Sequence, residues 1–273
     1  NRIESFCYAL HETYDAGVPV IVNNLPAFAD FFEHERNALV YDGFLIHSRN
    51  GSGAPLGGAV PAPARVRDDL NTPVFQFVTE TDLFGIGTGE LAFPGARQPD
   101  SESVHTWEVA GTSHADSDYL KALSVQGNLQ YDNFLDLSGI FSIVNTAPQN
   151  LSMHAALAAL VKWVAEGVRP PGGSPIATSD DAIVRDSNGN ALGGIRLPHI
   201  EVPIAVLSGE GPIRLSGQTI PFDTATLNAL YPSAAVYIDA VIASAQTAVD
   251  AGFLLPIDAE TIVARARANS PVP

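Results

Sequence analysis

The fold is decided by residues 73–116, which read PVFQFVTETDLFGIGTGELAFPGARQPDSESVHTWEVAGTSHAD. The stretch contains two apolar runs, PVFQFV and VHTWEVA, and each predicts a buried strand. Glu80 and Asp82 follow the first run, and His114 follows the second. Strands that deliver a carboxylate and then a histidine from their C-terminal ends supply the acid and the base of a catalytic triad.

His114 is the candidate base, and either Glu80 or Asp82 is the candidate acid. The alternative for His114 is a loop histidine without chemistry, but the upstream strand with its acidic end favours the catalytic role. Glu80 lies nearer the strand end and is expected to be held more rigidly, whereas Asp82 lies at the more usual distance for a triad acid. Both stay open, with a slight preference for Asp82, and at least one of them is expected to be a solvated turn residue.

The nucleophile of such a triad has no match in the sequence. A nucleophilic serine on a strained strand-to-helix turn needs small neighbours, as in G-x-S-x-G, and that motif is absent from the chain. The segments GSG at 51–53 and LSG at 137–139 and 207–209 lack the strand-to-helix context. Ser48 and Ser113 are poor substitutes, so the triad is predicted to be incomplete within this chain.

The composition limits the number of domains that the chain can form and the kinds of partner that it can bind. The chain has 273 residues, of which 46% are hydrophobic, so it can form one large domain or one core with an extension. Its 30 acidic and 14 basic residues give a net charge of −16, which disfavours nucleic acid and anionic membranes as partners. Cys7 is the single cysteine, so no intrachain disulfide is possible and the cellular compartment stays open.

No cofactor is expected. The sequence has neither a G-x-G-x-x-G nor an H-E-x-x-H motif, so nothing in it indicates a nucleotide or a metal site. No apolar run is long enough to suggest a membrane span.

Strands alternate with helices up to about residue 167, which predicts an α/β fold with a mostly parallel sheet. We therefore expect residues 1–167 to belong to the core and residues 168–273 to form an extension that packs on it, with a possible lid role. The predicted elements are helix 2–16, strands 18–22 and 38–47, helix 152–166 capped by Ser152, a hairpin at 182–198 turning at Asn188-Gly189, and helices 223–251 and 257–268.

Six segments carry a resemblance to a known family. They are YDGFLIHSRNG (41–51), TPVFQFVTETD (72–82), RQPDSESVHTWEVAGTSHAD (97–116), AALAALVKWVAEGVRPP (155–171), GNALGGIRLPHIEVP (189–203) and PFDTATLNALYPS (221–233). Together they resemble a family of bacterial alpha/beta hydrolase domain proteins, and more distantly the tannase and feruloyl esterase group, which shares a W-V-x-x-G-x-x-P helix end. The resemblance implies an α/β-hydrolase fold, hydrolysis of small carboxylic esters by a serine, His114 as the base, and Asp82 or Glu80 as the acid.

One departure from the family pattern concerns the serine. In that family the nucleophile lies immediately before a helix resembling NRIESF, which would place it ahead of Asn1. The resemblance therefore implies that an N-terminal segment or a separate chain supplies the serine and much of the oxyanion hole. Residues 1–273 alone are expected not to fold stably, because the sheet edge left open would be long and apolar. The alternatives are a non-catalytic binding protein and an acyltransferase on the same fold.

Overall fold

The computed structural model describes residues 41–53, 58–85, 92–130, 138–141 and 143–273. The chain divides into two compact units, Asn1–Phe44 and Leu45–Pro273, and the site described below lies in the second. The strands are β1 (Phe44–His47), β2 (Val74–Thr79), β3 (Val104–Val109), β4 (Thr178–Ser179), β5 (Ala182–Ile183), β6 (Ala205–Ile213) and β7 (Gly217–Pro221). The α-helices are α1 (Ser117–Gln130), α2 (Gln149–Glu166), α3 (Pro198–Glu201), α4 (Thr224–Leu230), α5 (Ala234–Asp250) and α6 (Pro256–Ala268).

A three-stranded sheet in the order β1-β2-β3 positions the chemistry. β2 and β3 run parallel, with Phe77 opposite Trp107. Every residue of β2 is buried, which explains why VFQFVT is an almost continuous apolar run. Ile195 adds a single parallel bridge to Val109 and so extends the sheet by one position. The predicted α/β class with parallel strands is confirmed.

The two faces of β2 and β3 are covered by different parts of the chain. On one face Phe75, Phe77 and Trp107 pack with buried side chains of α2 and α5. On the other face Glu108 is buried and forms a two-pronged ion pair with Arg97, both contacts being 2.7 Å. The hydrophobic face anchors the sheet to the helices, while the buried ion pair fixes the segment that precedes β3.

Helix α2 begins earlier than predicted. It starts at Gln149 after Pro148, and the Ser152 hydroxyl donates to the carbonyl of Gln149 inside the helix rather than capping its start. The predicted cap was therefore wrong, because a serine within the first turn can satisfy its hydroxyl on a carbonyl three residues back. The predicted end is confirmed, since Gly167 adopts a left-handed conformation with φ of 71°.

The C-terminal half differs from expectation at two places. The helix predicted over 223–251 is interrupted at Tyr231-Pro232-Ser233, where Pro232 cannot continue the backbone ladder and the Ser233 hydroxyl accepts from the amide of Val236 to start α5. The hairpin predicted over 182–198 is reduced to a single antiparallel bridge between Arg185 and Ala191, although its turn is present, with Gly189 at φ of 86°.

The remaining predictions either lie outside the described residues, are confirmed, or stay untested. Helix 2–16, strand 18–22 and the first residues of strand 38–47 lie outside the described residues. The helix predicted at 257–268 is confirmed as α6. The division at residue 167 and the lid stay predictions. Among the described residues, no helix combines the length and apolarity that a bilayer crossing would need.

Candidate active site

His114 and Asp82 meet at the C-terminal edge of the sheet. The ring Nδ1 of His114 lies 3.3 Å from an Asp82 carboxylate oxygen. The Asp82 side chain is fully buried, whereas the His114 side chain is 34% exposed. With Nδ1 turned to the carboxylate, the Nε2 side of the ring is left to face a reacting group, which is the orientation that a general base requires.

The Asp82 carboxylate is held by its own strand end. The second carboxylate oxygen accepts hydrogen bonds from the amide and the hydroxyl of Thr79, at 2.7 and 2.8 Å. Asp82 lies in a short π-helical turn, Thr81–Gly85, which directly follows β2 and turns the side chain back over the strand. Because both oxygens have partners, the buried carboxylate is fixed in one orientation.

Glu80 points away from His114 and holds the backbone instead. Its two oxygens accept from the amides of Gly111 and Gly209, at 2.5 and 3.0 Å. Arg185 lies 3.5 Å from the second oxygen. Burial raises the pKa of this carboxyl, and Arg185 and the two amides oppose that rise. The structure thus separates the two candidate acids: Asp82 contacts the imidazole, while Glu80 joins the loop after β3 to β6. Both side chains are buried, so the prediction that at least one of them is a solvated turn residue was wrong.

The backbone around Glu80 leaves no room for side chains. Gly111 has a left-handed φ of 74°, and a Cβ there would lie 2.2 Å from Ile200 Cδ1. A Cβ on Gly209 would lie 2.3 Å from the amide nitrogen of Thr81. Glycine at these two positions lets the loop after β3 and the strand β6 approach Glu80 closely enough for its carboxylate to bind both amides.

The loop that carries His114 is held by further polar contacts from distant parts of the chain. The buried amide group of Asn145 donates to the carbonyls of Gly111 and Ser208, at 2.7 and 2.8 Å. The Thr81 hydroxyl accepts from the His114 amide at 3.2 Å and donates to the Gly209 carbonyl at 2.7 Å. These contacts fix the backbone of His114 relative to Asp82.

Asp116 closes the same loop at its other end. One carboxylate oxygen accepts from the amide of Tyr119, in the first turn of α1, at 2.8 Å, and the other accepts from the amide of Gln149, the first residue of α2, at 3.3 Å. Burial raises the pKa of Asp116, and these two backbone bonds oppose the rise. A carboxylate at two helix N-termini is favourably placed with respect to both helix dipoles.

His47 and Gln149 form a second polar layer beside the imidazole. The exposed His47, at the end of β1, stacks on His114 with ring centroids 6.2 Å apart and planes 29° apart. Its Nε2 donates to the side-chain carbonyl of Gln149 at 2.9 Å, and the Gln149 amide donates to the His114 carbonyl at 3.4 Å. Neither His47 nor Gln149 was predicted from the sequence as part of the site, and the only signal for Gln149 was its place just ahead of the clearest predicted helix.

The serines near His114 do not pair with its ring. Among the described residues, no serine hydroxyl makes a hydrogen bond to His114. Ser48 has a left-handed φ of 55°, and its hydroxyl lies 3.1 Å from His47 Nε2. Ser113 is buried, with its hydroxyl unpaired among the described residues. In the same part of the chain, no three His, Cys, Asp or Glu side chains are grouped as a metal site.

A carboxylate after one parallel strand and a histidine after the next, in contact through Nδ1, match the arrangement in which α/β hydrolases hold their acid and base. Comparison with family models agrees: a model described as "Alpha/beta hydrolase domain" matches residues 11–264, and the chain belongs to that family. The α/β-hydrolase fold predicted from the sequence is thereby confirmed. No curated protein and no solved structure matches the chain. The likeness to tannases and feruloyl esterases and the bacterial source stay predictions.

Proposed function

We propose that this protein is a serine carboxylic-ester hydrolase in which His114 is the general base and Asp82 is the triad acid. The observation that carries the proposal is the 3.3 Å contact between His114 Nδ1 and the buried Asp82 carboxylate, with the ring still 34% exposed. Membership of the alpha/beta hydrolase domain family supports a hydrolase-type function. Beyond hydrolase function, we propose that the substrate is a carboxylic ester and that the nucleophile is a serine.

The chemistry follows from the position of His114 Nε2. A serine oxygen attacks the ester carbonyl carbon while Nε2 takes the hydroxyl proton, and a tetrahedral intermediate forms. The bond between the carbonyl carbon and the alkoxy oxygen then breaks, and Nε2 passes the proton to the leaving alcohol. Water attacks the acyl-serine in the same way and gives its proton to Nε2. The acid leaves as the proton returns to serine.

Asp82 supports both protonation states of the ring in this sequence. Its carboxylate accepts from Nδ1 and so keeps the tautomer in which Nε2 is free to take a proton. When the imidazolium forms, the buried negative charge stabilises it, and the two hydrogen bonds from Thr79 prevent the carboxylate from turning away. Glu80 has no such access, because both of its oxygens are bound to backbone amides.

The nucleophile is proposed to come from a segment ahead of Asn1 or from a separate N-terminal chain. This part of the proposal rests on the absence of G-x-S-x-G from the sequence. A serine-directed fluorophosphonate tests it. The intact protein should be labelled on a serine outside residues 1–273, and labelling of Ser48 or Ser113 would refute this assignment.

The base is tested by His114→Ala in the intact protein, with p-nitrophenyl acetate as substrate. Loss of a triad histidine lowers kcat by about 10⁵- to 10⁶-fold, and circular dichroism should show an unchanged fold. His154→Ala is the matched control, because His154 also contacts a carboxylate, Asp258 at 3.0 Å, but is 48% exposed on α2, outside the site. Full activity of His114→Ala would reject the proposal. Acyl transfer to an added alcohol with little free acid released would instead identify an acyltransferase.

A further inference from the structure

The contact with Asp82 does not hold the imidazole of His114 firmly by itself. The distance of 3.3 Å between Nδ1 and the carboxylate oxygen exceeds the range of about 2.7–2.9 Å that is typical of a hydrogen bond to a charged group. The His114 side chain is also 34% exposed, so part of the ring is bordered by solvent rather than by protein. A ring that takes up and returns a proton in one orientation needs a second support.

The ring of His47 lies beside the ring of His114. Their centroids are 6.2 Å apart, within the range of about 4.5–7 Å in which aromatic rings attract each other, and their planes differ by 29°. Among the described residues, no hydrogen bond joins the two rings, because Nε2 of His47 contacts Gln149 and Nδ1 of His114 contacts Asp82. The contact between the two histidines is therefore an aromatic one.

His47 is itself fixed in position by the sheet. It is the last residue of β1, and the following amide, that of Ser48, donates to the carbonyl of Phe77 on β2 at 2.8 Å. The rings of His47 and Phe77 also lie 5.6 Å apart. Since the side chain of His47 is exposed, the packing of the core does not require a histidine at this position.

Gln149 determines which nitrogen of His47 carries a hydrogen. The carbonyl of His114 can only accept, so the NH₂ group of Gln149 faces it, at 3.4 Å. The side-chain oxygen of Gln149 then faces His47, whose Nε2 must donate, at 2.9 Å. Because Gln149 is buried, this hydrogen bond anchors the ring of His47 to the start of α2.

We propose that His47 is a positioning residue for the base: its ring keeps the imidazole of His114 against Asp82 and stabilises the charged form of that imidazole. The face of a neutral aromatic ring attracts a cation, and His114 becomes a cation when it takes the proton of the serine. His47 acts through His114 and touches neither the ester nor the serine. Its role in the reaction rests on the proposed esterase function.

Proton NMR of the intact protein in water tests the positioning without any substrate. An imidazole N–H that is bonded to a carboxylate gives a proton signal at low field. One such signal is expected from His114 with Asp82, and another from the buried His105 with Asp100, which is the internal control. Asp82→Asn and Asp100→Asn assign the two signals. His47→Ala should broaden or remove the signal of His114 and leave that of His105 unchanged.

Steady-state kinetics with p-nitrophenyl acetate tests the consequence for the reaction. His47→Ala should lower kcat per folded molecule about tenfold and leave KM unchanged, because the charged ring loses its support while ester binding is retained. His47→Phe keeps an aromatic ring and should hold kcat within about threefold of the original value. His47→Gln keeps a donor for Gln149 without a ring, so it should resemble His47→Ala.

Three results would overturn the proposal. If His47→Ala keeps both the low-field signal of His114 and kcat per folded molecule, His47 is a structural residue. If KM rises while kcat is unchanged, His47 contacts the substrate. If His47→Phe loses as much activity as His47→Ala, the hydrogen bond to Gln149 acts rather than the ring.

Failure of the esterase assignment gives a different pattern. The intact protein would then hydrolyse no ester in any variant, but both low-field signals would be present. A selective loss of the His114 signal in His47→Ala would still support the positioning of one ring by the other. His154→Ala is the matched control for both measurements, because His154 is 48% exposed on α2 and outside the site.

Discussion

Two regions of this molecule surround an imidazole in opposite ways. At the C-terminal edge of the sheet, His114 has a carboxylate at 3.3 Å, and its loop is bound by the side chains of Glu80, Thr81 and Asn145. Among the C-terminal helices, both ring nitrogens of His199 lack partners in the described residues. The first ring is oriented and partly open, and the second is enclosed and neutral. The comparison teaches that backbone and second-layer contacts, rather than the residue type, decide what a histidine can do.

After the loss of His114 itself, the largest effect is expected from Asp82→Asn. An amide at this position can no longer fix the required tautomer of His114 or stabilise its charged form, so kcat should fall by about 10⁴-fold. Steady-state kinetics of the intact protein with a p-nitrophenyl ester measures the change, and chemical denaturation checks that the protein remains folded.

The control for Asp82→Asn is another carboxylate–histidine pair on the same sheet. Asp100 contacts Nδ1 of His105 at 2.9 Å, but His105 is buried and its other nitrogen faces the carbonyl of Pro171. Asp100→Asn should leave kcat within a few-fold of the original value. If both variants lost activity equally, the special role of the Asp82 pair would be disproved.

Glu80→Ala should damage stability rather than chemistry. Its removal leaves the amides of Gly111 and Gly209 and the charge of Arg185 without their buried partner, so the free energy of unfolding should fall by about 3–5 kcal/mol. Urea denaturation measures this loss. At a temperature where the variant is folded, kcat per folded molecule should fall far less than in Asp82→Asn. A larger fall in kcat would make Glu80 the triad acid.

His199→Phe should change how stability depends on pH. The pKa of His199 is lowered from 6.5 to about 4, so below pH 6.5 the unfolded chain binds a proton that the folded protein refuses. Stability is therefore lost as the pH falls from 6.5 towards 4, by up to about 3 kcal/mol. The phenylalanine variant lacks this loss, so its advantage over the original protein should grow on acidification. An advantage that is constant between about pH 7.5 and 4.5 would contradict the enclosed, neutral ring.

A small effect is expected from Gln149→Ala. The Gln149 side chain joins His47 to the His114 carbonyl, so its loss should loosen the layer beside the base without removing the acid or the base. One such hydrogen bond is worth about 1 kcal/mol, which corresponds to roughly a fivefold fall in kcat/KM. Comparing kcat/KM with the free energy of unfolding separates this effect from a general loss of stability, and a fall as large as that of Asp82→Asn would place Gln149 in the reaction itself.

The sequence predicted the part of the site that is local in the chain. The strands β2 and β3 could be recognised from their apolar runs, and the positions of Asp82 and His114 after them followed directly. The sequence could not separate Asp82 from Glu80, because the choice depends on the π-helical turn Thr81–Gly85 and on Gly209, which is far away in the chain. A contact with a residue so distant in the chain leaves no recognisable pattern in the sequence next to Asp82 and Glu80.

In the C-terminal half, the secondary structure could likewise be predicted only in part from the sequence. Periodicity predicted the helical segments, but it missed the break between α4 and α5, although Pro232 followed by the cap Ser233 was a signal for it. The antiparallel pair β6–β7 was missed, because its ladder is interrupted between Ser208 and Ile213 and the sequence there lacks regular alternation. The turn that joins these strands uses Leu215 in a left-handed conformation, φ 74°, where sequence rules expect glycine.

The contacts of Asp116 determine how the His114–Asp82 pair could be transplanted into another scaffold. Its carboxylate binds the beginnings of two helices, α1 and α2, one on either side of a long connection. Grafting the loop Gly111–Asp116 alone would remove the hydrogen bond between the Asp116 carboxylate and the first amide of α2. A transplanted segment must therefore be accompanied by the start of α2, which is not contiguous with the loop in the sequence.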